Sequence, residues 1–206
     1  MITNGAYLVS KAELSSAEIE RACDLPQTLL RSWRSRGCAP KNTGGTRYSC
    51  SLEDAAKLLL LSSGSKLGIS PIEITPLLDR RPQTLVYFAL MGCDGACEFR
   101  GPRKKVENVV ARFNDSDQLP FQFSLADDVS RFMVYHGKGR FEVVSDLQAM
   151  LEAESASQFA VIDLMVLGRK FAEELGRPIL TVVLPSDGDE AEIRRLSNGR
   201  PPLTIL

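Results

Sequence analysis

The chain has 206 residues, of which 44% are hydrophobic and 25% charged, ordinary values for a folded protein and enough for two small domains. No uncharged apolar run approaches the ~20 residues that a membrane-spanning helix requires, so no membrane partner is expected. The formal net charge is −1; a polyanionic partner would have to be met by a local patch, because the average offers no attraction.

Met1 to Lys11 lack the basic start and apolar stretch of a secretory signal, and a cytoplasmic location is the expectation. The five cysteines match no zinc spacing and read as reduced thiols. His136 is the single histidine, which leaves no multi-histidine metal site and argues against Ser-His or Cys-His catalysis. Neither a catalytic set, a metal nor a cofactor is expected.

In chain order, Ser15 and Glu18 form a capping-box pair that predicts a helix start, with Ile19, Ala22 and Cys23 on its inner face. Asp24-Leu25 makes a turn, and Pro26 opens a second helix where its missing N–H costs little. Leu29, Leu30 and Trp33 form the expected inner face of that helix. Thr28, Arg31, Ser32 and Ser35 fall at i, i+3, i+4 and i+7 on the outer face, and Gly37 ends it. Gly44-Gly45 predicts a hairpin tip, with Thr46 to Tyr48 returning as a strand. Ser51 and Asp54 start a further helix through Ala55, Leu58, Leu59 and Leu61, interrupted over Gly64 to Gly68. Ser70-Pro71 caps a short helix that Pro76 must kink or shorten. Arg80-Arg81-Pro82 is the expected boundary between domains 1–81 and 82–206.

Past that boundary, Thr84 to Met91 reads as a strand, with Asp94-Gly95 as a hairpin turn into Ala96–Phe99. Arg103 to Phe113 reads as a helix and 114–120 as a loop. Ser130–His136 and Arg140–Val144 read as strands joined at Gly137-Lys138-Gly139. Ser145 with Gln148 is a second capping box, opening a helix to about Ala153. Ser157 to Leu175 reads as one long helix, apolar on most sides and therefore buried or shared with a partner. Gly176 ends it, Pro178 to Leu184 is a strand, and Pro202 to Leu206 is a candidate last one. The fold class expected is α+β, a mostly helical first part followed by a mixed α+β second part.

Charge is distributed unevenly. Between Pro26 and Tyr48 lie Arg31, Arg34, Arg36, Lys41 and Arg47 and no acidic residue, whereas 82–206 hold 14 basic and 18 acidic side chains, a net of −4. A helix with one apolar and one Arg-bearing polar face, followed by a glycine-tipped basic hairpin, suits phosphate and base contacts.

The motifs Thr28-Leu29-Leu30-Arg31-Ser32-Trp33 with Arg36-Gly37, Gly44-Gly45-Thr46-Arg47-Tyr48 and Gly68-Ile69-Ser70-Pro71-Ile72-Glu73-Ile74 occur in an order that resembles the MerR family. The resemblance covers about residues 7–79. It implies a winged helix-turn-helix that binds double-stranded DNA. Thr28, Arg31 and Arg34 would be recognition-helix contacts, and Arg47 and Tyr48 wing contacts to phosphate. Ser32, Arg36 and Lys41, in the same acid-free segment, complete the candidate set. The chain departs from the family in one extra residue between Thr28 and Arg31, in Pro76, and in having strand-like sequence where the family's long dimerising helix stands.

The function expected is a sequence-specific transcription regulator acting as a homodimer, whose second domain dimerises it or receives a signal. RNA polymerase and an unidentified small-molecule effector are partners such a regulator would meet. An architectural or excisionase-like accessory factor that binds and bends DNA is the alternative. A third reading makes 82–206 an interaction or enzymatic domain that the first part merely targets. Several features stay open between two readings. Cys93 and Cys97 form an oxidant-sensing pair or lie as plain thiols in a half-buried strand. Cys38 and Cys50 bracket the expected wing. Gly137 to Arg140 form a hairpin turn or an anion cradle, without the strand-to-helix context of a P-loop. Arg103 to Lys105 are a solvated cluster or a second backbone contact.

Overall fold

The computed structural model describes residues 8–41, 49–78, 81–108, 129–153 and 158–185. The first part contains β1 (Leu8–Lys11), β2 (Leu14–Ser15), α1 (Ser16–Ala22), α2 (Gln27–Ser35), β3 (Ser49–Cys50), α3 (Leu52–Lys66) and α4 (Pro71–Ile74), the last running into a 3-10 turn at Thr75–Leu77. The second contains α5 (Arg81–Gly92), β4 (Cys97–Arg100), α6 (helical over 103–108), β5 (Phe132–Tyr135), β6 (Phe141–Val144), α7 (Leu147–Ala153), β7 (Ala160–Asp163), α8 (Leu164–Leu175) and β8 (Leu180–Val183). The mixed α+β class expected from the sequence is present.

α3 organises the core. Ser51 accepts from the Asp54 amide to start it, and Leu52, Ala55, Ala56, Leu58, Leu59, Leu60 and Leu61 are all buried. A helix apolar all round needs neighbours on every side, and α4 and α5 pack against it directly. The interruption expected over Gly64 to Gly68 falls at the end of that range: α3 continues through Gly64 to Lys66 and ends at Gly68, whose φ is +79°. Gly64 is instead a point of close approach, where a Cβ would collide with Ile74 of α4. Pro76 shortens α4 to a single turn plus the 3-10 turn, because its ring removes the next amide donor.

The predicted strand at Thr84–Met91 is a helix. Within α5, Thr84, Leu85, Val86, Ala89 and Leu90 are buried. An eight-residue apolar run carries no period, so burial on most sides suits either element. Asp94-Gly95 accordingly turns the chain from a helix into β4 and closes no hairpin; Gly95 there has φ +80°. The division expected at 81–82 falls in the first turn of α5, which packs against both α3 and α8. One buried cluster runs from Leu14 through Leu85 to Val182.

Three sheets lie around the helices. β8 is central in the first, antiparallel to β1 and parallel to β4. β2 and β3 form a short antiparallel pair, Leu14 opposite Cys50 and Ser15 opposite Ser49. β6, β5 and β7 form an antiparallel sheet in that spatial order, with β5 at its centre. Its β5–β6 hairpin turns through Gly137, Lys138 and Gly139, all with positive φ, and the His136 amide closes it on the Arg140 carbonyl at 3.0 Å.

The single helix expected over 157–175 is two elements. Ala160–Asp163 pairs with β5 as a strand, and Asp163 caps α8 by accepting from the amides of Met165 and Val166 at 3.0 and 3.2 Å. α8 is amphipathic: Leu164, Gly168, Phe171, Ala172 and Leu175 are buried, while Val166, Arg169, Lys170, Glu173 and Glu174 are exposed. The apolar appearance came from adding a strand to a helix. α7 is capped by Asp146, whose Oδ1 accepts from Gln148 and Ala149, where Ser145 was expected to cap it. The hairpin expected at Gly44-Gly45, the loop at 114–120, the end of the 103–113 helix, the acidic cluster at 186–192 and the strand at 202–206 lie outside the described residues.

Candidate nucleic-acid interface

α1 and α2 are fixed to each other by local chemistry. Ser15 Oγ accepts from the Glu18 amide at 3.4 Å, and Glu18 Oε2 takes the Ser15 amide at 2.8 Å, completing the predicted capping box. The connection is tight: Asp24 adopts φ +45° and Leu25 is fully buried beneath it. Pro26 stands at the N-cap of α2, and Gln27 Nε2 donates to the Ser16 carbonyl at 2.9 Å, tying the two helix starts together. The sequence reading missed Gln27.

α2 buries Leu30 and Trp33. Leu29, expected on the same inner face, is 38% exposed. The spacing of 30 and 33 with Cys38 and Ala39 beyond the helix supplies enough apolar surface without it. Gly37 ends the helix at φ +73°, as predicted.

Thr28, Arg31 and Ser35 stand exposed on the outer face, with Ser32 half-buried beside them. Arg36 and Lys41 are exposed after the helix. The side chains of Arg31, Arg36 and Lys41 make no hydrogen bond or ion pair among the described residues. Arg34 differs from them: it is half-buried and its Nε donates to the Pro40 carbonyl at 3.2 Å, holding the segment that follows α2. Its anchoring role left no mark in the sequence, because the acceptor is a main-chain carbonyl.

Arg47 and Tyr48 lie outside the described residues. The two ends of their segment are placed. The Arg34–Pro40 bond fixes the chain on one side, and the pairing of Ser49 with Ser15 fixes it on the other, beside the cap of α1.

None of the five cysteines is in a disulfide. Burial pushes the Cys97 thiol up to about 11 and the Cys23 thiol further, and burial with the nearby Glu173 raises Cys93 as well. These thiols stay protonated at neutral pH and are poor nucleophiles. Among the described residues no group of three or more His, Cys, Asp or Glu side chains is placed to hold a metal ion, and no helix is long and apolar enough to cross a membrane. His136 lies 3.4 Å from Glu142 across the β5–β6 hairpin.

Compared with known proteins, the chain matches no family model, and no curated protein matches it.

Proposed function

We propose that the chain is a sequence-specific DNA-binding regulator, reading duplex DNA with a MerR-like winged helix-turn-helix built on α1, α2 and the 42–48 segment. The observation that carries this reading is the outer face of α2 with its continuation. Three cations, Arg31, Arg36 and Lys41, are exposed with no ion-pair partner among the described residues, in a segment, 26–48, that contains no acidic residue. Isolated charges cost the fold nothing at the surface but gain little from it, so their natural partner is an external polyanion. Thr28 and Ser32 are short donors and acceptors suited to base edges. The start of α2 has no side-chain cap, which leaves its first amides free for a phosphate oxygen. Arg34 serves the interface indirectly by holding the wing's root, and Arg47 and Tyr48 are the wing contacts.

The 82–206 part then dimerises the protein or receives its signal, and a dimer would read two half-sites one helical turn apart. The test starts with selection of duplexes from a random pool, followed by gel-shift titration. Arg31→Ala and Arg47→Ala should each weaken binding about tenfold and lower the salt-dependence slope by ~1. Parent-like binding by both variants, or failure of the parent to enrich any duplex, overturns the reading.

A further inference from the structure

We propose that a second site, separate from α2, binds a compact phosphate- or carboxylate-bearing small molecule in the crevice where α1, α3 and α8 meet. The crevice encloses about 230 Å³, room for a small anion and not for a polymer. Each wall brings one cation: Arg21 from α1, Lys66 from α3 and Lys170 from α8. Two carboxylates, Asp24 and Glu174, also line it, leaving a net charge of one positive unit. Buried Cys23 and Leu59 form part of its floor.

The cations are only partly used by the protein. Arg21 Nε donates to the Glu174 carbonyl at 2.9 Å, which anchors the guanidinium at the α8 wall and leaves its terminal nitrogens unengaged by described residues. Lys66 Nζ gives one bond to Asp24 at 2.7 Å and retains two further N–H donors. The Lys170 side chain makes no hydrogen bond or ion pair among the described residues, although its charge also reaches Asp24, and the Ser63 hydroxyl in the same lining is likewise unengaged by them. Asp24, in its left-handed conformation at φ +45°, holds its own carboxylate out in solvent, 80% exposed. It neutralises part of Lys66 without filling the crevice. An anion entering here would collect donors from three helices that are far apart in sequence.

Such a ligand would lock α8 onto the turn that precedes α2. Its influence on DNA rests on the function proposed above; its binding does not. The site is open to water, so affinity should be modest, on the order of 1 mM at low ionic strength, and should fall with salt. The test is calorimetric titration of the full chain with inorganic phosphate and, separately, with citrate, alongside thermal melts in each. Saturable binding and a raised melting temperature are expected for at least one anion. Lys170→Gln and Lys66→Gln should each raise Kd about tenfold without lowering the melting temperature of the unliganded chain, while Lys57→Gln, elsewhere on α3, should change nothing. Absence of saturable heat with both anions, or binding indifferent to Lys170→Gln, overturns the proposal. So does a loss of DNA affinity in Lys170→Gln, in anion-free buffer, as large as that of Arg31→Ala, because the crevice would then be serving a DNA phosphate. If the parent binds anions but no duplex, this site stands and the DNA reading alone falls.

Discussion

α2 and α8 are both amphipathic helices ended by a left-handed glycine, yet they use charge in opposite ways. On α8 and its flanks three ion pairs lie within the fold, although the Lys170 side chain takes no partner among the described residues. Arg131 grips Asp163 at the helix start with bonds of 2.6 to 3.1 Å, Arg169 faces Glu173 at 3.6 Å, and Arg177 beyond the end reaches Glu18 of α1 at 2.7 Å. On α2 there is no acid to pair with, no side-chain cap, and Arg31 is left to solvent. The first helix spends its polar groups on holding the molecule together. The second keeps them available, and its rigidity comes instead from Leu30, Trp33 and the Gln27 bond to α1. This contrast separates a structural surface from a binding one more clearly than net charge does.

The most damaging substitution should fall on the inner face of α8. A Cβ at Gly168 would sit 2.6 Å from the Leu85 carbonyl oxygen and 2.8 Å from the Ala89 nitrogen, main-chain atoms of α5 that cannot move independently. Gly168→Ala should therefore destabilise the chain by about 3 kcal/mol, since the two helices must separate. Ser35→Ala on the outer face of α2 should stay within about 0.5 kcal/mol of the parent. Urea melts of both variants test the difference. Equal stabilities would break the distinction between the two helices.

The capping of α8 comes next in size. Burial pushes the Asp163 carboxyl up, but the Arg131 bond with the Val166 and Met165 amides outweighs it and leaves the group below its ordinary value. Asp163→Ala should cost about 2 kcal/mol, combining a lost cap with a partly shielded Arg131 left unpaired. Asp163→Asn keeps an oxygen for the amides and should recover about half of that. If Asn behaved like Ala in the same melts, the ion pair alone would be responsible.

These elements also show what the sequence could reveal. The Ser15–Glu18 box, the helix start at Ser70-Pro71, Gly37 and Gly176 were legible because each acts within four residues of itself. α5 was not, because Thr84 to Met91 offers no charged residue to set a period and its burial is decided by α3 and α8. Asp163 sits at the hinge between strand and helix in the 160–175 run, but a lone acid in an apolar run reads equally as a solvated position. β1 went unpredicted because its partner, β8, lies near the other end of the described chain. At the candidate interface the outer face of α2 was legible from its period. Arg34's inward bond and Leu29's exposure depended on where the 38–40 segment packs. The link from Tyr135 Oη to Glu73 Oε1, at 2.9 Å, joins residues 62 positions apart, a distance over which no local pattern extends.

The smallest effect tests whether the paired charges of the α8 end do support the fold. Arg177's guanidinium, with the Ser15 bonds adding to it, holds the Glu18 carboxyl down to about 2 from an ordinary 4.5. The sign follows from linkage. A folded-state value below the unfolded one means the stabilisation is complete above about pH 5 and drains away as the solution is acidified toward pH 2. Both partners reach water, so its size should be about 1 kcal/mol, well below what the shift alone would imply. Glu18→Gln retains the geometry of the capping box and removes the charge. The parent should exceed this variant by a constant margin between pH 7 and 5, and by less than half that margin at about pH 3. A margin that ignores pH would mean that Glu18 acts through its cap alone. The Arg177 pair would then be as idle as Arg31 is among the described residues, and the contrast between paired and free charge would lose its energetic basis.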